Sequence, residues 1–267
     1  MSRKIGFIGG GNMAEGIIGG LIVAGTFPGN EIYVKEIITG RAKYLSEQYG
    51  VTIVETYAEL AAQADILVLA VRPQDAQEVS TELQKVVSEK NIIVSICAGI
   101  LMEKISSWIG NKVKYARIMP NTMIESQRGY SALAFGDGFT DAEKADVQII
   151  TDSIGKTLLL AENKFDAFTA SSCAGPEWVI LFAQALIDAA VESGLSRADA
   201  QAIVHENLIA TGKVLSTTDR HPFKITDEMN TPGGIGIAGL HSFQRSGFSG
   251  IIMDAVMAAY IRTTQLR

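Results

Sequence analysis

The chain has 267 residues, 47% of them hydrophobic and 19% charged, with a formal net charge of −6. Such a composition supplies a sizeable apolar core and excludes disorder. The acidic balance excludes a polyanion-binding surface, because non-specific nucleic-acid affinity needs clustered Lys and Arg, so no nucleic-acid partner is expected.

The first predicted element is the apolar run Ile5 to Gly9, read as a strand. It feeds directly into the helical pattern of "GGNMAEGIIGGLIVAG". Gly9, Gly11 and Ala14 satisfy the spacing G-x-G-x-x-G/A at this strand-to-helix junction. That spacing serves a tight turn, then close approach of backbone to a pyrophosphate, then close helix-on-strand packing, with the anion at the positive helix N-terminus. Asn12 and Met13 open the helix and belong to the same candidate cofactor-binding turn. A second strand is predicted over Ile32 to Val34, followed by Glu36, whose carboxylate can accept hydrogen bonds from adenosine ribose hydroxyls and so favours NADH. Lys35 and Arg41 offer the opposite choice, two cations able to neutralise the 2′-phosphate of NADPH.

Further strand-like runs follow at Ile66 to Val71, Ile92 to Ile96 and Tyr115 to Met119, separated by segments long enough to be crossover helices. Continuous Ile and Val runs of this kind suit parallel strands covered on both faces. After about Phe165 the strand signals stop, and Pro176 to Gly194, Arg197 to Leu215 and Ser249 to Arg267 read as helices. The expected division is residues 1–160 for dinucleotide binding and 161–267 for a helical second domain. The stretch "PEWVILFAQALIDAAVESG" is apolar around most of its circumference, too much so for a surface helix of a small monomer, and a dimer would cover it.

Cys97 and Cys173 form no disulfide framework and, with His205, His221 and His241, no metal-ligand spacing; no metal is expected. Both cysteines read as small buried side chains. The N-terminal apolar stretch is too short for a signal peptide, and no segment reaches the roughly 18 uninterrupted apolar residues of a membrane span, so a cytoplasmic protein with no membrane partner is expected.

At this point the sequence resembles the pyrroline-5-carboxylate reductase family over nearly its whole length. "GFIGGGNM" looks like that family's cofactor loop, and "AVRP" (Ala70, Arg72, Pro73), "SICAG" (Cys97, Ala98) and "RIMPNT" (Arg117, Asn121) look like its further strand-end motifs in the same order. "CAGPEW" and "HPFKITDEMNTPGG" continue the match. The resemblance implies an α/β fold in which a Rossmann-type doubly wound parallel sheet precedes an all-helical C-terminal dimerisation domain. It also implies NAD(P)H-dependent reduction of a cyclic imine carboxylate, 1-pyrroline-5-carboxylate, to L-proline by a homodimer or higher homo-oligomer. Ala70, Arg72, Pro73, Cys97, Ala98 and Asn121 then join the cofactor site, while Arg117 could salt-bridge within the fold or touch cofactor.

For substrate, Gly233 and Gly234, following Thr231 and Pro232, can present N–H donors to a carboxylate; an ordinary turn is the alternative. The family normally follows the Pro-Gly-Gly with a Thr able to hydrogen-bond the substrate nitrogen, where this chain has Ile235 and Gly236, so Gly236 marks the reacting end without supplying a hydroxyl. Glu177 stands where a small residue is usual and shares a stripe with Leu181, Gln184 and Asp188. It is expected either to enter the pocket as a catalytic, substrate-pairing acid or merely to complement the helix dipole. Trp178 reads as pocket wall or dimer core, and His221 as a loop hydrogen-bonder. Two alternatives remain beside proline synthesis: a paralogous reductase of a different cyclic imine, and a non-enzymatic dinucleotide-binding regulator. A β-hydroxyacid dehydrogenase shares the glycine loop but would call for a Lys in the first long helix of the second domain, and residues 177–192 contain none.

Overall fold

The structure, a computed structural model, describes residues 3–265. Its elements run β1 (Ile5–Ile8), α1 (Asn12–Val23), β2 (Ile32–Lys35), α2 (Thr39–Tyr49), β3 (Thr52–Ile53), α3 (Tyr57–Gln63), β4 (Ile66–Leu69), α4 (Ala76–Val86), β5 (Ile92–Ser95), α5 (Met102–Ile109) and β6 (Lys114–Pro120). They continue with β7 (Gly129–Phe135), α6 (Asp141–Asp152), β8 (Gly155–Leu159), α7 (Phe165–Phe168), α8 (Gly175–Glu192), α9 (Arg197–Thr217), α10 (Pro222–Glu228), α11 (Ile235–Arg245) and α12 (Phe248–Thr264). The sheet order is β3-β2-β1-β4-β5-β6-β7-β8. All pairs from β3 to β6 are parallel; β7 runs antiparallel to β6 and parallel to β8.

The period of two along each strand divides its side chains between two cores. Ile5 and Phe7, Ile66 and Val68, and Ile92 and Val94 face a cluster completed by Ile17, Ile18 and Leu21 of α1 and Ile150 of α6. Ile8, Leu67, Leu69 and Ile93 face the opposite cluster with Leu60 of α3, Leu83 of α4 and Ile105 of α5. Both faces are thus covered, which is why these strands read as continuous apolar runs. Capping boxes at Thr56/Glu59 and Thr140/Glu143 start α3 and α6 by satisfying orphan backbone donors from both directions.

Glu143 does more than cap. Its carboxylate also pairs with Lys114 of β6 and Arg3, fastening α6 to the N-terminal end of the sheet. The Lys114 hydrogen bond, then the Thr140 cap, pull its carboxyl from the usual 4.5 down to about 2. An acid whose folded value is depressed stabilises the fold above its unfolded value and loses that contribution as pH falls through the folded value. Stability should therefore decline between roughly pH 4.5 and pH 2 by an amount that Glu143→Gln removes. Urea midpoints of both proteins across that range measure it, and parallel profiles would refute the assignment.

The chain divides into two compact units. The first runs through Cys173 and takes in the last residues from Tyr260 onward. It extends past the last strand because Phe165 and Phe168 pack on Met119, Ala132 and Ala134, followed by a π-helical turn over Thr169–Cys173. The second unit, Ala174–Ala259, is helical: Ile187 of α8 packs with Ala200 and Val204 of α9, and Phe182, Phe243 and Phe248 form an aromatic group. Large apolar side chains including Ile180, Leu181, Ile209 and Met253 stay exposed. The continuous helical stretch Glu162–Glu192 is long and apolar enough to cross a membrane by length and composition. Buried cores of soluble assemblies pass the same test.

Candidate active site

Strand order reverses at β1, between β2 and β4, and the carboxyl ends of strands at such a switch point are where open α/β sheets hold ligands. The chain leaves β1 through Gly9 with φ +92°. A Cβ there would lie 2.8 Å from the Ala70 carbonyl oxygen, so glycine is required both for conformation and for approach. Gly9 N–H donates to the Lys35 carbonyl at 2.9 Å, tying the turn to β2. Gly11 is the N-cap of α1 and contributes no side-chain cap; a Cβ at Gly11 would meet nothing within 4 Å. The space beside Gly11 is open and the first-turn N–H groups of α1, including those of Met13 and Ala14, have no side-chain cap, an arrangement suited to a phosphate.

Gly9, Gly11, Glu36, Ala70 and Arg72 line one groove of about 530 Å³, joined by Ile37, Ile38 and Tyr57. Pro73 opens the short 3₁₀ turn beside it, and Arg72 is engaged with Asp75 at 2.7 Å on the rim. Glu36 is fixed at the end of β2 by two backbone donors: Gly10 N–H to Oε2 at 2.6 Å and Ile38 N–H to Oε1 at 2.8 Å. Ile37 and Ile38 are 81% and 63% exposed, an apolar wall suited to a purine face. The sequence carried that signal as two isoleucines in a loop, and it went unread; Tyr57 carried none. An uncapped helix start, a glycine cradle, an anchored acid and an apolar wall together fit a dinucleotide.

Three sequence-derived expectations change here. Arg41, offered as a 2′-phosphate partner, donates from Nε to the Gly10 carbonyl at 2.6 Å and from Nη2 to Glu15, so one edge of its guanidinium is turned to the protein. Asn121 is also committed: Nδ2 reaches Ser172 O and Oγ, and Oδ1 accepts from Met123 and Tyr130 N–H. Its side chain positions the turn after β6. Cys97 is buried with Sγ turned to the Leu69 and Val71 carbonyls, and burial pushes its thiol up to about 11. It stays a neutral core group, leaving only the Cys97 backbone for a ligand. Ala98 packs beside the Met119–Phe165 cluster. Arg117 takes the structural option, 2% exposed, paired with Glu162 at 3.1 Å and lying over the Phe165 ring.

In the second unit, Gly233 has φ +71° and Gly234 N–H closes a turn on the Thr231 carbonyl at 2.9 Å. Gly234 is the N-cap of α11 without a capping side chain, so the "TPGG" segment does open a helix whose first N–H groups lack intrahelical partners. A Cβ at Gly236 would lie 2.8 Å from Asn230 Oδ1, while Asn230 Nδ2 is held on the Thr226 carbonyl at 2.8 Å. The Asn230 amide thus crowds the place a side chain at 236 would take. Glu177 is exposed in the first turn of α8. About three turns on, Arg197 and Gln184 hold Asp188, keeping its carboxyl below the ordinary range. His221 caps α10, its Nδ1 accepting from Phe223 N–H at 3.3 Å.

The family model for pyrroline-5-carboxylate reductase dimerisation matches residues 162–266, and one described as NADP oxidoreductase, coenzyme F420-dependent, matches residues 4–99. A pyrroline-5-carboxylate reductase of Arabidopsis thaliana is 33% identical over 99% of this chain and 96% of that protein. Among solved structures, a pyrroline-5-carboxylate reductase from Coxiella burnetii aligns with TM-score 0.91 and 27% identity over 100% of this chain and 99% of its own. The Plasmodium falciparum pyrroline carboxylate reductase with NADP bound aligns with TM-score 0.89 and 27% identity over 99% and 98%. The likeness runs over the full length in both sequence and fold, and the chain belongs to the pyrroline-5-carboxylate reductase family.

Proposed function

We propose that this chain reduces 1-pyrroline-5-carboxylate to L-proline with a nicotinamide dinucleotide. The observation that carries this reading is the uncapped glycine turn at the switch point, in a chain whose full-length relatives are named for that reaction. When bound, the reduced nicotinamide supplies the hydride. The first-turn N–H groups of α1, from Gly11 through Asn12 and Met13, hold the pyrophosphate, and Glu36 accepts from the ribose hydroxyls with the lone pairs its backbone donors leave free. Ala70, Arg72 and Pro73 border the groove.

A protonated cyclic imine accepts a hydride without a general base, so the chain's work is to bind, orient and complement charge. Gly233 N–H and the first-turn N–H groups that follow the Gly234 N-cap of α11 offer donors to the substrate carboxylate, while Gly234 N–H holds the turn on the Thr231 carbonyl. Glu177 complements the iminium. Gly236 stays small because Asn230 occupies the neighbouring space. Glycine there and an acid at 177 also favour a second reading, reduction of a different cyclic imine. A second copy of the chain covers the exposed apolar side chains of α8 and α12, making a homodimer in the cytoplasm.

Glu36 opposes a 2′-phosphate and favours NADH. Steady-state oxidation of NADH and NADPH with 1-pyrroline-5-carboxylate tests both statements. We expect turnover with a lower KM for NADH, and Glu36→Gln should raise that KM by about tenfold, the scale of one hydrogen bond to a charged group. A wild-type preference for NADPH would remove Glu36 from this role.

A further inference from the structure

Glu15 sits in the first turn of α1, beside the helix start that is to receive a pyrophosphate. A bare carboxylate there would repel that ligand. Its Oε2 instead receives the Arg41 guanidinium, and its Oε1 accepts hydrogen bonds from Tyr44 and Tyr49 hydroxyls at 2.9 and 2.8 Å. Arg41 comes from α2, stacks at 5.2 Å over the Tyr44 ring, and simultaneously holds the Gly10 carbonyl at 2.6 Å. At the preceding peptide link, Gly10 N–H is taken by Glu36, so Gly10 is gripped through both its polar backbone atoms.

We propose that Arg41 is a positioning residue for the phosphate turn, fixing the Gly10 carbonyl and neutralising Glu15, with Tyr44 and Tyr49 completing the clamp. This rests on the dinucleotide reading of the groove. The guanidinium edge turned to Gly10 and Glu15 serves NADH and NADPH alike, which is what separates this role from that of a 2′-phosphate ligand. Supporting this, although burial alone would raise it, hydrogen bonds from Arg41, Tyr49 and Tyr44 hold the Glu15 carboxyl below its usual value. Burial and then Glu15 push Tyr49 up to about 12.

The test is binding of NADH and of NADPH to the purified full-length protein, by calorimetry without imine, for wild type, Arg41→Met, Arg41→Lys, Glu15→Gln and the double variant Glu15→Gln/Arg41→Met. Arg41→Met should weaken both dinucleotides by about tenfold, the scale of a lost charge-assisted contact, leaving their ratio within about twofold. Adding Glu15→Gln should recover about threefold or more, since the uncompensated charge is gone. Weakening confined to NADPH would make Arg41 a 2′-phosphate ligand and overturn the proposal. So would unchanged binding of both, or a double variant no better than Arg41→Met. Should Arg41→Met fail to fold, Arg41→Lys, which keeps charge but not the fork, must still weaken both dinucleotides equally. Failure of imine turnover alongside the expected binding pattern would remove the reductase reading and leave this one standing.

Discussion

Gly9→Ala should weaken dinucleotide binding by roughly ten- to a hundredfold, which corresponds to about 1.4–2.7 kcal/mol. Residue 9 has φ +92°, where an L side chain is strained. The new Cβ would also lie 2.8 Å from the Ala70 carbonyl oxygen, and that oxygen belongs to backbone following β4, so the turn has to move rather than its neighbour. Displacement carries Gly10 and Gly11 with it and misaims the N–H groups that open α1. Gly11→Ala separates the two causes. At Gly11 the backbone is extended and the added methyl meets no protein atom, so the ligand-free protein should melt where wild type does while dinucleotide affinity still falls. Calorimetric titration and thermal melts of both variants measure this. Wild-type affinity in Gly11→Ala would mean that the open space above α1 is not where the pyrophosphate goes.

Arg117→Ala should cost at least about 3 kcal/mol of stability, in the range seen when one partner of a buried ion pair is removed. The guanidinium is among the largest buried side chains of the molecule. It packs 4.9 Å from the Phe165 ring centroid and pairs with Glu162, whose Oε1 also accepts the Met102 N–H at 2.8 Å. One substitution therefore strands a carboxylate, opens a cavity beneath α7 and loosens the start of α5. For a chain of this size about 3 kcal/mol corresponds to a fall of roughly 6–12 °C in Tm. A melt within 2 °C of wild type would show that the pair contributes little, as exposed pairs do.

The cofactor half of the molecule was legible because its demands are local. The strand-turn-helix at Ile5–Val23 announces itself through Gly9, Gly11 and Ala14, and Glu36 follows the second strand at the expected place. Ile66, Leu67, Val68 and Leu69 are all buried, alternately in the two cores, which explains why β4 looked like an unbroken apolar run. β3, with two residues, is too short to leave a period. β7 and β8 were missed because "GYSALAF" and "GKTLL" contain small or polar residues. Their pairing with β6 and with each other, rather than intrinsic preference, makes them strands.

Side-chain commitments were illegible for a different reason. Arg41 and Glu15 lie on separate helices, and Asn121 meets Ser172 across a long sequence interval; nothing in one dimension says that these polar groups spend their hydrogen bonds on each other. The helical half showed its excess apolar surface in "PEWVILFAQALIDAAVESG", and exposed Ile180 and Leu181 repeat that in three dimensions. His221 was read as a loop hydrogen-bonder and serves as a helix cap, a role its neighbour Pro222 marks. The departure at Gly236 was visible, whereas its reason, the Asn230 amide 2.8 Å from the missing Cβ, was not.

The most direct test of the central claim is a single turnover with NADH carrying two deuterons at C4 of the nicotinamide and 1-pyrroline-5-carboxylate as substrate, analysed by mass spectrometry and NMR. The expected product is L-proline with one deuteron on the ring carbon that was doubly bonded to nitrogen in the imine. Dinucleotide bound to the protein with no labelled proline formed from this imine, by NADH or by the equivalent NADPH, would contradict it.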